Sequence, residues 1–318
     1  MTVYLITGGA GFIGSHLAET LLRRGERVRI LDNFSTGKRD HLALLREIGG
    51  DLTIHEGSIT DAALVREVMA GVDYVLHQAA LPSVPRSVAD PLETHEVCAT
   101  GTLNILIAAR DAGVKRLIYA SSSAVYGDLP GDYKMETMLP QTLSPYAAAK
   151  LAGEYYCRTF TAVYGLETVA LRYFNVFGER QDPDSPYAAV IPLFIRAMLR
   201  GERPTIYGDG TQTRDFVHVA DIVAGNLRAC HAEPSAAGAA YNLAGGSPIS
   251  LLDLIAHLNG LLGTAITPIF AAERPGDIKH SCADIRRAGD RLGYEPQVGL
   301  AEGLGRTLAW FQQRLTLA

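Results

Sequence analysis

The chain opens with Met1-Thr-Val-Tyr-Leu-Ile-Thr-Gly-Gly-Ala-Gly-Phe-Ile-Gly-Ser15, in which an apolar run meets glycines at positions 8, 11 and 14. This pattern predicts a short strand followed by an amphipathic helix through Arg24. Glycine is needed where the backbone takes dihedral angles that a Cβ atom forbids, and where main chain touches a pyrophosphate. The helix N-terminus then offers free amide groups and the positive end of its dipole. The stretch therefore predicts a dinucleotide-binding turn.

A carboxylate follows this turn at the spacing that a dinucleotide site needs. The next predicted strand begins at Val28 and ends in Asp32, which lies 21 residues after Gly11. An acidic group at this place accepts a hydrogen bond from a ribose 2′-hydroxyl and repels a 2′-phosphate. The sequence therefore favours NAD over NADP as the cofactor.

Strand-like and helix-like patterns alternate up to about residue 175. The near-continuous Val, Ile and Leu content of the strands is typical of strands covered on both faces, and the alternation predicts an α/β fold with a Rossmann-type, doubly wound parallel sheet. In such sheets the ligand lies beyond the carboxyl ends of the strands, here in the loops after residues 7, 32, 77, 121 and 172. The predicted strands are 3–7, 28–32, 52–56, 72–77, 116–121 and 168–172, and the predicted helices are 12–24, 61–70, 91–112 and 144–164.

The alternation of strand-like and helix-like patterns ends near Phe174, and beyond it loops rich in Pro, Gly and Asp separate short helices and strands. We expect residues 1–175 to form the NAD-binding domain. Residues 176–318 are expected to form mainly a smaller α/β lobe that binds the substrate, with the chain crossing back between the two lobes.

Composition excludes several classes of partner. The chain has 318 residues, with 29 basic and 34 acidic side chains and a net charge of −5, and no basic run marks a nucleic-acid or anionic-membrane surface. The N-terminus enters a strand at once and no apolar run reaches the length of a membrane span, so a cytoplasmic protein is expected. The four cysteines, at 98, 157, 230 and 282, are far apart, which predicts neither a disulfide nor a metal site.

Two side chains suited to proton transfer share one helix face. The segment Ser144-Pro-Tyr-Ala-Ala-Ala-Lys150 places Tyr146 and Lys150 one helical turn apart. A tyrosine hydroxyl has an ordinary pKa of about 10, which is too high for a base at neutral pH. A lysine ammonium and a cationic nicotinamide nearby would both favour the phenolate. A serine at the end of the preceding strand, in Ala120-Ser-Ser-Ser-Ala-Val-Tyr-Gly127, can share the transferred proton.

With these motifs the chain resembles the extended short-chain dehydrogenase/reductase superfamily over nearly its whole length. Within it the chain looks most similar to the UDP-sugar 4-epimerases, particularly the branch that acts on N-acetylated hexoses. The motifs that carry the resemblance are Thr7-Gly-Gly-Ala-Gly-Phe-Ile-Gly14, His77-Gln-Ala-Ala80, Ser121-Ser-Ser123, Tyr146-x-x-x-Lys150, Arg172-Tyr-Phe-Asn-Val-Phe-Gly178, Arg214-Asp-Phe216 and Arg274-Pro-Gly-Asp277.

The resemblance implies a redox cycle on a bound sugar nucleotide with NAD retained throughout. Tyr146 would take the O4 proton while C4 gives a hydride to NAD. The resulting 4-keto sugar would then rotate about the diphosphate and accept the hydride on its other face. Lys150 would hold the cofactor ribose and lower the pKa of Tyr146, and Ser122, with Ser123 beside it, matches the catalytic hydroxyl. Family members that dehydrate or decarboxylate the sugar carry acidic residues where this chain has Ser123 and Ala124, which favours simple 4-epimerisation.

The resemblance also implies which residues hold the two ligands. The cofactor-binding residues it implies are Gly8, Gly11, Phe12, Ile13, Gly14, Asp32, Asn33, Ser35, Gly37, Ser58, Ile59, Gln78, Ala79, Ala80, Tyr146, Lys150 and Tyr173. The substrate-binding residues it implies are Ser83, Ser122, Ser123, Tyr146, Asn175, Ala189, Val190, Tyr207, Arg214, Arg274, Asp277 and Ser281. The arginines would neutralise the diphosphate, because their planar forks give two parallel hydrogen bonds.

A small residue at 281 points to the substrate. Members limited to glucose and galactose carry a bulky tyrosine at the matching place, whereas Ser281 leaves room for an acetamido group. The resemblance therefore implies UDP-N-acetylglucosamine and UDP-N-acetylgalactosamine as substrates, with UDP-glucose and UDP-galactose as further ones. The alternatives are a UDP-glucuronate 4-epimerase or another 4-keto-forming nucleotide-sugar enzyme, and, more remotely, a non-catalytic NAD-binding module. The resemblance also implies a homodimer formed by the helices near 91–112 and 144–164.

The chain departs from the family pattern at two places. Cys98 replaces an asparagine that normally braces the catalytic loop. Ser58 stands where an aspartate usually binds the adenine amino group, so that the contact there would be uncharged.

Overall fold

The computed structural model describes residues 1–184, 188–273 and 279–317. Its strands are β1 (Val3–Thr7), β2 (Arg27–Asp32), β3 (Leu52–Glu56), β4 (Tyr74–His77), β5 (Arg116–Ser122), β6 (Glu167–Tyr173), β7 (Asn175–Phe177), β8 (Thr205–Tyr207), β9 (Thr213–His218), β10 (Ala239–Leu243), β11 (Pro248–Ser250), β12 (Ile269–Ala271) and β13 (His280–Ser281). Its helices are α1 (Phe12–Arg23), α2 (Arg39–Ile48), α3 (Ala62–Met69), α4 (Val84–Ala89), α5 (Pro91–His95), α6 (Gly101–Asp111), α7 (Pro145–Tyr164), α8 (Val190–Leu199), α9 (Val219–His231), α10 (Leu251–Leu262), α11 (Arg286–Leu292) and α12 (Leu300–Leu317).

A seven-stranded parallel sheet forms the centre of the molecule, in the order β10-β6-β5-β4-β1-β2-β3. The predicted Rossmann-type, doubly wound sheet is confirmed, and each of the six predicted strands is present with its ends within two residues of the prediction. The register pairs Thr7 with both Leu31 and His77, and Ser122 with Tyr173. The carboxyl ends of five strands therefore meet along one edge of the sheet, where a ligand binds in folds of this kind.

The sheet is buried on both faces because successive side chains of each strand point to opposite sides. In β1, Tyr4 and Ile6 belong to one hydrophobic cluster, whereas Val3 and Leu5 belong to the cluster on the other face. Helices cover both clusters, which explains why the strands read as continuous apolar runs rather than as alternating ones.

The chain after β6 builds a second layer and also returns to the first. Strands β7, β9, β11 and β13 form a small sheet, and their hydrophobic cluster includes residues of α8, α10 and α12. Strand β10, in contrast, pairs with β6 and becomes the edge of the main sheet. The division into lobes at residue 175 stays a prediction. The sequence pattern did not predict β10, which brings residues 239–243 back to the main sheet.

Two local features of the first 175 residues differ from the expectations. Helices α2 and α4 were not predicted. The helix expected over 91–112 is interrupted at Glu96–Thr100 by a π-helical turn, a feature that is frequent at functional sites.

The four cysteines are all buried as free thiols. Within the described residues, none of the helices combines the length and the hydropathy that a membrane span requires.

Candidate active site

A cleft of about 960 Å³ lies along the carboxyl edge of the main sheet. One wall comes from the loops after β1, β2, β4 and β5, and the other from residues between β7 and α10, including Asn175, Val190, Tyr207 and Arg214. The cleft therefore brings together side chains from both parts of the sequence, and its volume suits two ligands of nucleotide size placed end to end.

The glycine turn forms one end of the cleft and fits a pyrophosphate. Gly8 has a φ of +70°, and a Cβ atom there would lie 2.8 Å from the backbone nitrogen of Ala79. A Cβ atom on Gly14 would lie 2.2 Å from the carbonyl oxygen of Gly8. The N-terminus of α1 has no side-chain cap, so its first amide groups are available to a phosphate. The residues present therefore fit the dinucleotide cofactor.

Asp32, the last residue of β2, hydrogen-bonds both to the glycine turn and to the loop that follows β2. Its two carboxylate oxygens accept the backbone N–H groups of Ala10, at 2.9 Å, and Phe34, at 2.8 Å. Burial raises the pKa of this carboxyl group, and the two amide hydrogen bonds oppose that effect. Each oxygen keeps a further lone pair for a ribose hydroxyl, so the carboxylate both braces the glycine turn and faces the cleft.

Ser122 and Tyr146 meet where β5 ends and α7 begins. Ser122 accepts the N–H of Ala124 at 3.2 Å, which leaves its own proton free to be donated. Ser144 caps α7 by accepting the N–H of Ala147 at 3.1 Å, and this sets the direction in which Tyr146 leaves the first turn. Burial raises the pKa of the Tyr146 phenol, and a hydrogen bond with Ser122 opposes that rise.

Lys150 lies one turn further along α7 and is also buried. Its ammonium group donates to the carbonyl of Ala120 at 2.7 Å and lies 5.0 Å from the centre of the Tyr119 ring. Burial lowers the pKa of Lys150. In this structure burial dominates the pKa of Tyr146, so the expectation that Lys150 lowers it stays a prediction for the cofactor-bound protein.

A chain of hydrogen bonds behind the cleft contains His77 and Cys98. The two ring nitrogens of His77 lie 2.6 Å from the hydroxyl of Thr7 and 3.0 Å from that of Thr102, and burial lowers the pKa of this histidine to about 3. His77 is therefore a neutral structural residue. Cys98, within the π-helical turn, accepts the N–H of Leu81 at 3.4 Å. Its sulfur thereby holds the loop that carries Ser83.

A buried ion pair fixes α7 against the main sheet. The Arg172 guanidinium on β6 donates to both carboxylate oxygens of Glu154 on α7, at 2.9 and 2.7 Å. The hydroxyl of Ser121, next to Ser122, donates to the same carboxylate at 2.5 Å. The two charged side chains are only 5% and 7% exposed. Since Glu154 lies one turn beyond Lys150, this pair sets the position of the helix face that carries Tyr146 and Lys150.

Glu154→Gln should lower the free energy of unfolding by about 3 kcal/mol, because it leaves the buried Arg172 charge without its counter-charge. Urea unfolding followed by circular dichroism measures the change. Glu302→Gln is the matched control, since it breaks an exposed ion pair with Arg306 that contributes less than about 0.5 kcal/mol. Equal midpoints for Glu154→Gln and the unmodified protein would show that the buried pair does not stabilise α7.

The structure brings most of the expected cofactor residues together in the cleft wall. Gly37 is the exception: its Cα–H faces the Asp32 carboxylate and Ala10 rather than the cleft, so it supports the wall without forming it. The hydroxyl of Tyr173 lies 2.9 Å from the side-chain oxygen of Asn226 and 3.2 Å from that of Gln78, and its single proton is donated to one of the two. The expected cofactor residues that line the cleft are Gly8, Gly11, Phe12, Ile13, Gly14, Asp32, Asn33, Ser35, Ser58, Ile59, Gln78, Ala79, Ala80, Tyr146, Lys150 and Tyr173.

The expected substrate residues divide into three groups. Lining the cleft are Ser83, Ser122, Tyr146, Asn175, Ala189, Val190, Tyr207 and Arg214. Ser123 and Ser281 are not among the lining residues of the described chain: Ser123 opens a 3₁₀ turn behind Ser122, and Ser281 pairs on β13 with Arg214 of β9. Arg274 and Asp277 lie outside the described residues.

Several polar cleft residues were not predicted from the sequence. Arg180, Asp182 and Lys38 line the dinucleotide end, and Gln212 lines the other end. Arg180 and Asp182 come just after the motif that ends at Gly178, and this proximity was the one sign in the sequence that they belong to the site. Their charges alone are typical of a solvated loop.

A parallel Rossmann sheet with a glycine turn, an acidic residue after β2 and a Tyr–Lys–Ser group at one cleft defines an extended short-chain dehydrogenase/reductase. The model of the NAD-dependent epimerase/dehydratase family matches residues 4–244. The UDP-glucose 4-epimerase of Mycolicibacterium smegmatis is 38% identical over 98% of both chains. The chain therefore belongs to this family and, within it, to the UDP-sugar 4-epimerases, which are isomerases that use NAD.

Two solved structures show how far the similarity extends in three dimensions. A UDP-N-acetylglucosamine 4-epimerase from Methanobrevibacter ruminantium, in complex with UDP-N-acetylmuramic acid, is 41% identical with a TM-score of 0.93, over 98% of this chain and 99% of that one. The UDP-glucose 4-epimerase of Thermotoga maritima, with UDP-glucose, is 36% identical with a TM-score of 0.92, over 99% of this chain and 100% of that one.

Proposed function

We propose that the protein interconverts UDP-N-acetylglucosamine and UDP-N-acetylgalactosamine by inversion at C4, and that it also accepts UDP-glucose and UDP-galactose. The observation that carries this proposal is the single cleft, which joins the glycine turn to Tyr146 and Ser122 and continues to Arg214. The 41% identity to a UDP-N-acetylglucosamine 4-epimerase supports the N-acetylated pair.

NAD, when bound, accepts the hydride from C4 of the sugar and later returns it. Tyr146 takes the proton from the O4 hydroxyl as the hydride leaves, and gives a proton back after the 4-keto sugar has turned over. Ser122 donates to the phenolic oxygen and steadies the charge that develops there. Lys150 adds a buried positive charge one turn from Tyr146 and holds the cofactor ribose.

The diphosphate of the substrate lies against the second wall of the cleft. Arg214 on β9 supplies a cation there, and Asn175, whose amide donates to the carbonyl of Asp215 at 3.4 Å, is held beside it. Tyr207, Ala189 and Val190 receive the uracil base on an apolar surface. Arg274 and Asp277 complete the diphosphate and ribose contacts in this proposal.

The residues after Ser122 favour epimerisation over the other reactions of the family. Ser123 and Ala124 begin a 3₁₀ turn and carry no acidic group. Dehydration requires a second acid–base pair to expel the 6-hydroxyl, and none is supplied at these two positions.

The purified protein, incubated with UDP-N-acetylglucosamine and no added NAD, should form UDP-N-acetylgalactosamine until the two sugars reach equilibrium. Chromatography of the sugar nucleotides measures the conversion, and UDP-glucose in a parallel reaction tests the second pair. Without conversion of the N-acetylated sugar in protein that contains NAD, the substrate proposal would be wrong, and UDP-glucose and UDP-glucuronate would be compared next.

The homodimer stays a prediction. On α7, Phe160 packs into the core whereas Tyr155 and Tyr156 are exposed, at 51% and 38%. Leu92 and Val88 on the neighbouring helices are exposed as well. Exposed apolar side chains on helices that pack together favour a subunit contact at this face, and in our proposal the contact joins two copies of this chain.

A further inference from the structure

A set of charged residues outside the catalytic group lies beside the glycine turn. Residues 178–184 follow β7, and we call this segment the strap. Its side chains Arg180, Gln181, Asp182 and Asp184 line the same end of the cleft as Gly11 and Asp32. The strap therefore belongs to the second wall of the cleft but lies at the cofactor end.

Arg180 ties the strap to α1. Its guanidinium donates to the hydroxyl of Ser15 at 3.2 Å and forms an ion pair with Glu19, one turn further along the same helix. The Arg180 side chain is only 12% exposed, and burial lowers its pKa to about 10, so it remains charged at neutral pH. This contact joins the strap to the helix whose N-terminus faces the pyrophosphate.

A second tie joins the strap to the loop after β2. The ammonium group of Lys38 lies 2.7 Å from the carboxylate of Asp182. The backbone N–H of Lys38 also donates to the carbonyl of Ala10 at 2.9 Å. Lys38 therefore links the strap to the glycine turn and to the loop that carries Asp32, at the place where the cofactor ribose is bound.

The backbone of the strap is held in an unfavourable conformation between these ties. Arg180 has a φ of +66°, which a side chain with a Cβ atom rarely adopts and which persists only where surrounding contacts enforce it. The carboxylate of Glu179, the residue before it, lies 3.3 Å from the ring of His218 and 3.9 Å from that of His16 on α1. The strap is thus fixed to both sides of the cleft by charged side chains.

We propose that Arg180 and Asp182 are cofactor-retaining residues: they hold the strap across the dinucleotide end of the cleft, so that NAD is released only when these ion pairs separate. A dinucleotide placed between the N-terminus of α1 and Asp32 lies between the two ties. Opening the strap breaks the partly buried contact of Arg180 and the more exposed contact of Asp182 together. This inference concerns release of the cofactor and does not depend on which sugar is the substrate.

Arg180→Ala should release bound NAD at least about tenfold faster, a factor that corresponds to about 1.4 kcal/mol. The holoprotein is loaded with radiolabelled NAD, freed of excess by gel filtration, and mixed with unlabelled NAD; the label that remains bound is followed with time. Asp182→Asn, which keeps the shape of the side chain, should also accelerate release. Because the Lys38–Asp182 pair is partly exposed, release from the unmodified protein should become faster at higher salt.

Arg23→Ala is the matched control, because Arg23 is the other arginine paired with Glu19 but lies on α1 itself and is 63% exposed. Its release rate should stay within about twofold of the unmodified protein. Release at the unmodified rate from a folded Arg180→Ala protein would overturn the proposal, as would equal acceleration by Arg23→Ala. If Arg180→Ala does not fold, Asp182→Asn decides: unchanged release and unchanged salt dependence would overturn it.

Discussion

Tyr146→Phe should lower the rate of UDP-sugar epimerisation by about a thousandfold, the middle of the range for a general acid–base group. The tyrosine is 9% exposed, so its ring is held by packing that phenylalanine preserves. The variant loses only the hydroxyl, which in the proposed reaction accepts the O4 proton and bonds to Ser122. Conversion of UDP-N-acetylglucosamine and of UDP-glucose measures the rate.

The interpretation of this result depends on separating chemistry from folding. Tyr155→Phe is the matched control, because Tyr155 lies on the same helix and is 51% exposed, and it should leave the rate unchanged. The amount of NAD released by acid from each variant shows that the cofactor site is intact. Rates near those of the unmodified protein for Tyr146→Phe would mean that another group carries the proton, and the assignment of Ser122 and Lys150 around it would fail as well.

Gly14→Ala should abolish NAD binding and lower the free energy of unfolding by about 3 kcal/mol or more, at the upper end of overpacking effects. The new Cβ atom would lie 2.2 Å from the carbonyl oxygen of Gly8 and 2.8 Å from the Cα atom of Gly9. Both neighbours are backbone atoms of the glycine turn, so neither can move away as the end of a flexible side chain would. The turn and α1 must separate, and the pyrophosphate site is lost with them.

Gly260→Ala is the matched control for this change. Gly260 also lies in a helix, α10, but nothing lies within 4 Å of the Cβ atom that alanine would add. Alanine should therefore stabilise the protein, by up to about 1 kcal/mol, because it restricts the unfolded chain and favours the helix. Urea unfolding and the NAD content of both variants check the pair. Retention of NAD by a stable Gly14→Ala protein would contradict the role given to the glycine turn.

Much of the nucleotide-binding half was predictable because its signals are local. Strand β1, the glycine turn and Asp32 lie within the first 32 residues, and each depends on neighbours along the chain. Buried parallel strands produce continuous apolar runs, and Tyr146 and Lys150 are related by one turn of a single helix. Helix α2 was missed because only Leu42, Leu45 and Ile48 mark its apolar face, and this short apolar pattern is surrounded by polar residues.

The chemistry around the site was less predictable where it depends on residues distant in sequence. In the sequence Cys98 is only a departure from the family pattern, and the folded chain shows that its sulfur, within the π-helical turn, accepts the N–H of Leu81. Glu154 reads as one more charge on a helix, whereas its bond with Arg172 is buried between α7 and β6. In each case the function of a polar side chain depends on what faces it after folding, which periodicity does not report.

Local sequence was thus enough to establish the Rossmann class, the preference for NAD and the candidate proton-transfer group, because backbone dihedrals, strand burial and helical spacing are properties of adjacent residues. Long-range packing was needed to bring β10 beside β6, to place Arg214 and Tyr207 opposite Tyr146, and to bring Arg180 onto α1. Those contacts join residues separated by tens to more than 150 positions. Only the folded chain decides them, since burial and charge pairing act between surfaces that the linear order keeps apart.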